Sequence, residues 1–229
     1  MRFATKRRPP ATDPHTVRAW QVQSLLLGYP DDGLLGRLPL LDRAAATLPD
    51  DVGAPLVRFL GHLRATPPHE LAADYVATFD HRKRCCLFLT YYAHGDTRKR
   101  GQALLNLKQT YTAAGLRLSD DELPDHLSVV LEFASASGDG TLLREHRAGL
   151  ELLRLALTDA DSPWAHVLDS VSATLPPLAG DQREAVARLA AEGPPEEQVG
   201  LAPFGAPPSQ PSQPSPVFLP DPAMPRGRR

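Results

Sequence analysis

Apolar residues recur three and four positions apart along most of this chain, the spacing that lines one face of an α-helix. Val17, Trp20, Leu25 and Leu27 mark a first helix from residue 15, closed by Gly28-Tyr29-Pro30, because a proline excludes helical geometry from the residue before it. Asp31 and Asp32 open the next, with Leu34, Leu35, Leu38 and Leu41; Pro39 falls inside it and predicts two short helices or a kink. Val52, Leu56, Phe59, Leu60 and Leu63 predict a third over residues 51–63, and Leu71, Tyr75 and Phe79 a fourth over 70–79. Further along, Pro124 heads a helix carrying Leu127, Val130, Leu131 and Ala134, since proline suits a first helical position. Residues 142–157 read as one periodic helix, Pro163 opens another, and a short one is expected over 182–191. No alternating β-branched run and no internal repeat is present. The expected fold class is all-α, a single bundle of about eight or nine helices.

Composition sets the limits of that bundle. Residues 15–192 form the expected helical domain, preceded by a polar, basic segment 1–14. Eleven of the 24 prolines fall in residues 193–229, among Ser, Gln and Gly, so that this tail cannot bury enough apolar surface to offset its ordering entropy. Both end segments are therefore expected to be disordered. The net charge of −2 offers no general basic field for nucleic acid. The two cysteines, Cys85 and Cys86, are adjacent, which does not suit disulfide geometry and fits a reducing compartment. With no apolar run of spanning length and no secretory leader pattern, the expectation is a soluble, cytoplasmic protein without direct membrane insertion.

The stretch over residues 75–116 concentrates the remaining chemistry. It joins Tyr75, Phe79 and Asp80 to a basic run (Arg82, Lys83, Arg84), an apolar segment 85–92, the turn His94-Gly95-Asp96-Thr97 and a long helix with Leu104, Leu107, Tyr111 and Ala114 on one face. Asp96 or Thr97 can cap that helix, and Gly115 can stop it with Leu116 folded back on the last turn. Arg98, Lys99 and Arg100 crowd its first turn, the end the helix dipole makes unfavourable for cations; Asp80 and Asp96 are the nearest carboxylate partners.

Catalytic templates are missing. There is no phosphate-cradling glycine loop, no Gly-x-Ser-x-Gly elbow and no His-Glu-x-x-His pair. His81 and Cys85, four apart, supply two possible metal ligands but no others at suitable spacing, and free Cys is more often a small buried hydrophobe. Asp74, Asp80 and Asp96 read better as caps and arginine partners than as an acid–base group. Trp20, Tyr29, Tyr91, Tyr92 and Trp164 read as core or as the lining of a groove. A helical bundle of this kind works by binding: an apolar groove accepts an amphipathic helix, and a rim of Arg82, Arg84, Arg98 and Arg100 sets register and on-rate.

Several of these motifs together resemble a known family. Leu25-Leu26-Leu27-Gly28-Tyr29-Pro30-Asp31, Phe79-Asp80, Tyr91 with His94-Gly95-Asp96, Arg98, Arg100-Gly101-Gln102-Ala103, Tyr111, Ala114-Gly115-Leu116, Glu122-Leu123-Pro124-Asp125-His126-Leu127 and Leu131-Glu132-Phe133 occur in order. They resemble the nitrate reductase assembly chaperones of the delta-subunit (NarJ) type, over roughly Ala19 to Leu157. The resemblance implies an all-helical redox-enzyme maturation chaperone that is not an enzyme. Such a chaperone binds the N-terminal tail of the catalytic alpha subunit in its apo form and holds it for insertion of molybdenum cofactor (bis-molybdopterin guanine dinucleotide) and iron–sulfur centres before membrane docking. No cofactor is held stably and no metal site is implied. Tyr91, His94, Asp96, Arg98, Arg100 and Tyr111 are then the expected peptide groove and rim. Asp80, Gly95, Gly101, Gly115 and Pro124 are the expected structural positions: glycines for turns and close packing, Asp96 also as a cap, Pro124 as a helix start. Cys85-Cys86 depart from the small or aliphatic residues expected there. Two other readings are a metallochaperone that itself carries molybdenum cofactor or iron–sulfur fragments, and a helical nucleic-acid regulator using the two basic triplets.

Overall fold

A computed structural model describes residues 12–119 and 122–195. The expected end segments lie outside the described residues at 1–11 and 196–229. Thr12 to Pro14, expected to precede the fold, are part of it: the Asp13 carboxylate accepts from the Thr16 N–H at 3.2 Å and Pro14 occupies the first turn of α1 (Pro14–Leu26). Gly193 to Pro195, assigned to the tail, are described as well.

The remaining helices are α2 (Asp32–Gly36), α3 (Leu38–Ala45), α4 (Asp50–Ala65), α5 (Pro68–Phe79), α6 (Leu89–His94), α7 (Arg98–Ala113), α8 (Leu127–Ser137), α9 (Thr141–Glu145), α10 (Arg147–Asp159), α11 (Ala165–Ala173) and α12 (Gly180–Glu192), with a 3-10 turn at Lys83–Cys85. The all-α expectation holds among the described residues. The twelve helices exceed the eight or nine expected because two long periodic runs are divided and α6 starts within the apolar segment 85–92. The run 31–45 divides at Arg37 into α2 and α3, the first of the two readings that Pro39 allowed. The run 142–157, expected as one helix, divides at His146 because α9 packs on α8 while α10 lies against α11 and α12, directions one straight rod cannot share.

The core is built around α1, which packs against α8, α11, α3 and α4. Its Trp20, Val22 and Leu26 are buried with Leu56, Phe59 and Leu60 of α4 and Leu127, Val130 and Leu131 of α8. Polar latches satisfy the buried donors between helices: Gln23 Nε2 donates to Ser170 Oγ at 2.8 Å, Ser170 Oγ donates to the Val52 carbonyl at 2.8 Å, and Trp20 Nε1 donates to Thr174 Oγ1 at 3.1 Å. Trp164 sits in an aromatic cluster with Phe59, Tyr75 and Phe79. Tyr29, favoured as core, is 52% exposed and touches only the edge of that cluster through Tyr75. Its position just after the α1 exit puts it outside the packed faces.

Candidate functional site

The apolar run 85–92 does not form one helix, and the reason organises the site. The Leu127 N–H donates to the Leu87 carbonyl at 2.8 Å and the Leu89 N–H donates to the Asp125 carbonyl at 2.9 Å. These two bonds make an antiparallel bridge between Phe88 and His126, which holds residues 86–88 extended and delays α6 until Leu89. They also correct the reading of Pro124. It lies in the turn before α8, and the helix starts three residues later at Leu127, because Asp125 and His126 are committed to the bridge. His126 is the N-cap, its Nδ1 accepting from the Ser128 N–H at 3.3 Å.

Asp125, fully buried, is the hub of this junction. Its carboxylate accepts from the Thr90 hydroxyl and pairs with Arg100 at 3.5 Å. Arg100 also donates from Nε to Thr90 Oγ1 at 3.3 Å and from Nη1 to Asp96 at 3.3 Å, and its guanidinium lies 5.6 Å from the centre of the Phe88 ring. The extended apolar segment, α6, α7 and the 123–127 turn are thus held together by one charged network. Arg100 faces inward to this network. Of the two readings of Asp96, cap or arginine partner, the second holds: it is the (i, i+4) partner of Arg100, while Thr97 occupies the N-cap position of α7 and its hydroxyl donates backwards to the His94 carbonyl at 2.8 Å. Pairing to an internal carboxylate also explains how a cation sits in a first helical turn.

Tyr111 is buried, donates to the Pro124 carbonyl at 2.6 Å and packs on Phe133 at 4.6 Å. Gly115 takes φ 80°, with the Gly115 N–H on the Thr112 carbonyl and the Leu116 N–H on the Tyr111 carbonyl, the paired bonds of a glycine-stopped helix. Gly101, expected to permit close packing, lies on an open face of α7 where a Cβ would meet nothing within 4 Å. Asp80 closes α5 and is exposed. Arg98 is exposed at the start of α7, and His94 is half-buried at the end of α6.

The surface feature that fits a ligand helix is a trough along α10. Two adjoining cavities, about 380 and 400 Å³, share Lys83 and Arg84 as a basic wall; Leu152 and Ala156 form the apolar floor and Tyr91 and Tyr92 the end. Tyr92 is fixed there by its hydroxyl, which donates to the Cys86 carbonyl at 2.8 Å, and Tyr91 rests edge-on against it. Tyr91 and Tyr111 therefore line different cavities, and the six expected groove residues do not form one surface. Asp125, a motif residue with no expected role of its own, and Thr90 carry the junction. A lone aspartate inside Leu-Pro-Asp-His-Leu was the available signal; its arginine, 25 positions away, was not visible.

Burial raises both thiols, so Cys85 and Cys86 stay protonated, and His81 does not share a helix with Cys85. Among the described residues no group of three or more His, Cys, Asp or Glu could hold a metal ion, and no helix is long and apolar enough to cross a membrane. Burial lowers His126 and His146 from the ordinary value of 6.5. In the window below 6.5 the unfolded chain then binds more protons than the folded one. The stability these imidazoles carry is complete above 6.5 and is lost as pH falls through their folded values. Protonation also removes the Nδ1 acceptor that caps α8. The melting temperature is expected to fall between about pH 7.5 and 5.5, and less so in a His126→Asn/His146→Gln variant. Calorimetric scans across that range check this; identical slopes for both proteins would remove the two imidazoles as the cause.

A sequence profile of the nitrate reductase delta subunit family matches residues 45–169. The chain is 31% identical over 156 residues to the probable nitrate reductase molybdenum cofactor assembly chaperone NarJ of Bacillus subtilis, covering 66% of this chain and 85% of that protein. It is 40% identical over 162 residues to the nitrate reductase-like protein NarX of Mycobacterium tuberculosis, which takes in 68% of this chain but only 24% of that longer relative. A crystal structure described as a redox enzyme maturation protein of Archaeoglobus fulgidus superposes with a TM-score of 0.52 at 21% identity, over 80% of this chain and 99% of that one, a likeness of fold. With more than half of its length inside the family profile, the chain belongs to the nitrate reductase delta subunit family.

Proposed function

We propose that this protein is an assembly chaperone for a nitrate reductase. It binds the N-terminal segment of the apo catalytic subunit and keeps that subunit competent for insertion of molybdenum cofactor and iron–sulfur centres, before the enzyme docks on its membrane partner. The observation that carries this reading is the junction of residues 87–89 with 125–127. It ties the motif segments around Thr90, Arg100 and Asp125 to one another and sets α6, with the motif residue Tyr91, at the end of an apolar trough with a basic wall. Molybdenum cofactor is cargo of the partner in this reading, so the trough need fit only a helix. A shallow, partly polar-walled trough also suits a holder that must let go, since charged rims add encounter rate and register more than lasting affinity.

The test is titration calorimetry with the first residues of the cognate alpha subunit, a peptide of about fifteen residues or roughly four helical turns, beside a scrambled peptide. Saturable binding of the native peptide alone is expected. Tyr91→Ala is expected to weaken it about tenfold or more, the loss typical of an aromatic anchor at an interface, with the helical circular dichroism unchanged. Equal affinity in well-folded Tyr91→Ala protein would take Tyr91 out of the site. Stoichiometric metal in protein purified without oxygen would favour the metallochaperone reading instead.

A further inference from the structure

Half of the trough along α10 is walled over in this chain, while the cavity beside Ala156 is not lined by α12. α12 lies against α10, and its Leu189, Ala190, Gly193 and Pro194 form the remaining wall of the cavity that Tyr91 and Tyr92 close. We infer that this face of α10 is the docking surface for the partner's helix, and that α12 with Gly193–Pro195 occupies it as an internal stand-in which the partner must displace. The inference rests on the peptide-binding reading above and adds to it where the peptide sits and what regulates access.

Four observations point the same way. First, the profile of the family ends at residue 169, so α12 lies outside the matched region and is laid on a surface of it. Second, the addition meets a motif residue. Gly95 has φ 58° and is buried, and a Cβ there would collide with the Pro195 carbonyl. Third, α12 is weakly held. None of its residues is buried, and among its side chains Leu189 is the one packed in part on the core. The face beneath it is a true core face, with Leu152 and Tyr92 buried. A weakly seated helix over a well-formed apolar floor is the arrangement that permits exchange. Fourth, the chemistry of the occupant is legible from its seat. The floor takes one leucine among small residues, and the wall of Lys83 and Arg84 favours a helix without positive charge on that side. The partner expected is a short amphipathic helix with a single large apolar anchor.

The test uses the full chain in three forms: the native protein, Leu189→Asp, which puts a charge on the apolar floor, and Ala187→Pro, which breaks α12 from its exposed side without touching the trough. Hydrogen exchange over residues 180–192 establishes that the helix is released. Each form is titrated with the alpha-subunit peptide used above. Both variants are expected to bind about tenfold more tightly than the native chain, the gain when the competent state rises from about a tenth of the population to nearly all of it. Peptide added to the native chain is expected to speed exchange in α12 and slow it over residues 89–94. Unchanged or weaker affinity in both released variants overturns the stand-in while leaving peptide binding intact. Absence of binding by all three forms overturns the peptide reading, and the docking face with it.

Discussion

Arg100→Ala is expected to lower the stability of this protein by about 3–5 kcal/mol, the usual cost of breaking a buried ion pair from one side. The loss comes from what remains. Asp125 is fully buried, and Arg100 and the Thr90 hydroxyl meet the same carboxylate oxygen, Oδ2; without the guanidinium that oxygen keeps the Thr90 hydroxyl and the buried charge loses this counter-ion. Asp125→Asn is expected to cost less, because Arg100 retains Asp96 and is 22% exposed to water. Urea unfolding followed by circular dichroism measures both. A loss below about 1 kcal/mol for Arg100→Ala would mean that the pair behaves as a surface ion pair and that the junction does not depend on it. The same variant separates two roles. A residue of the peptide rim would change peptide affinity at constant stability, whereas the geometry around Arg100 makes stability the quantity that moves.

Trp164→Ala is expected to cost a further large amount, about 3–5 kcal/mol, as for other large aromatics deleted from cores. Trp164 is 1% exposed and its ring meets Phe59 at 5.6 Å, Tyr75 at 5.8 Å and Phe79 at 5.4 Å, so one side chain joins α4, α5 and the start of α11. The cavity left would be bounded by three rigid rings that collapse poorly, which keeps the cost near the top of the range. The unfolding midpoint is expected to fall with the denaturant slope unchanged. A small loss would show that the rings close over the gap. Trp164, Phe59, Tyr75 and Phe79 do not line the trough, so peptide affinity measured well below the midpoint is expected to survive; its loss would make α5 and α11 part of the recognition surface.

Much of this protein was determined by its sequence alone. The 3.6-residue rhythm of leucines and aromatics specified the helices, because burying one face of a helix needs that period and no other. Proline and glycine marked the exits at Tyr29 and Gly115, where local backbone sterics act without help from distant residues. The order of the motifs specified the family. The tertiary structure decided what depended on residues far apart in the chain. The bridge between Phe88 and His126 overrode the helical start expected at Pro124, because two backbone hydrogen bonds from a distant segment outweigh local preference. Arg100 was turned inward by Asp125, a partner with no periodic relation to it. The placement of α12 beside Tyr92, and of Pro195 over Gly95, was equally invisible. A weakly amphipathic helix carries no signal for which face it will cover; only the packed shape of α10 and the space left at Gly95 give it a seat.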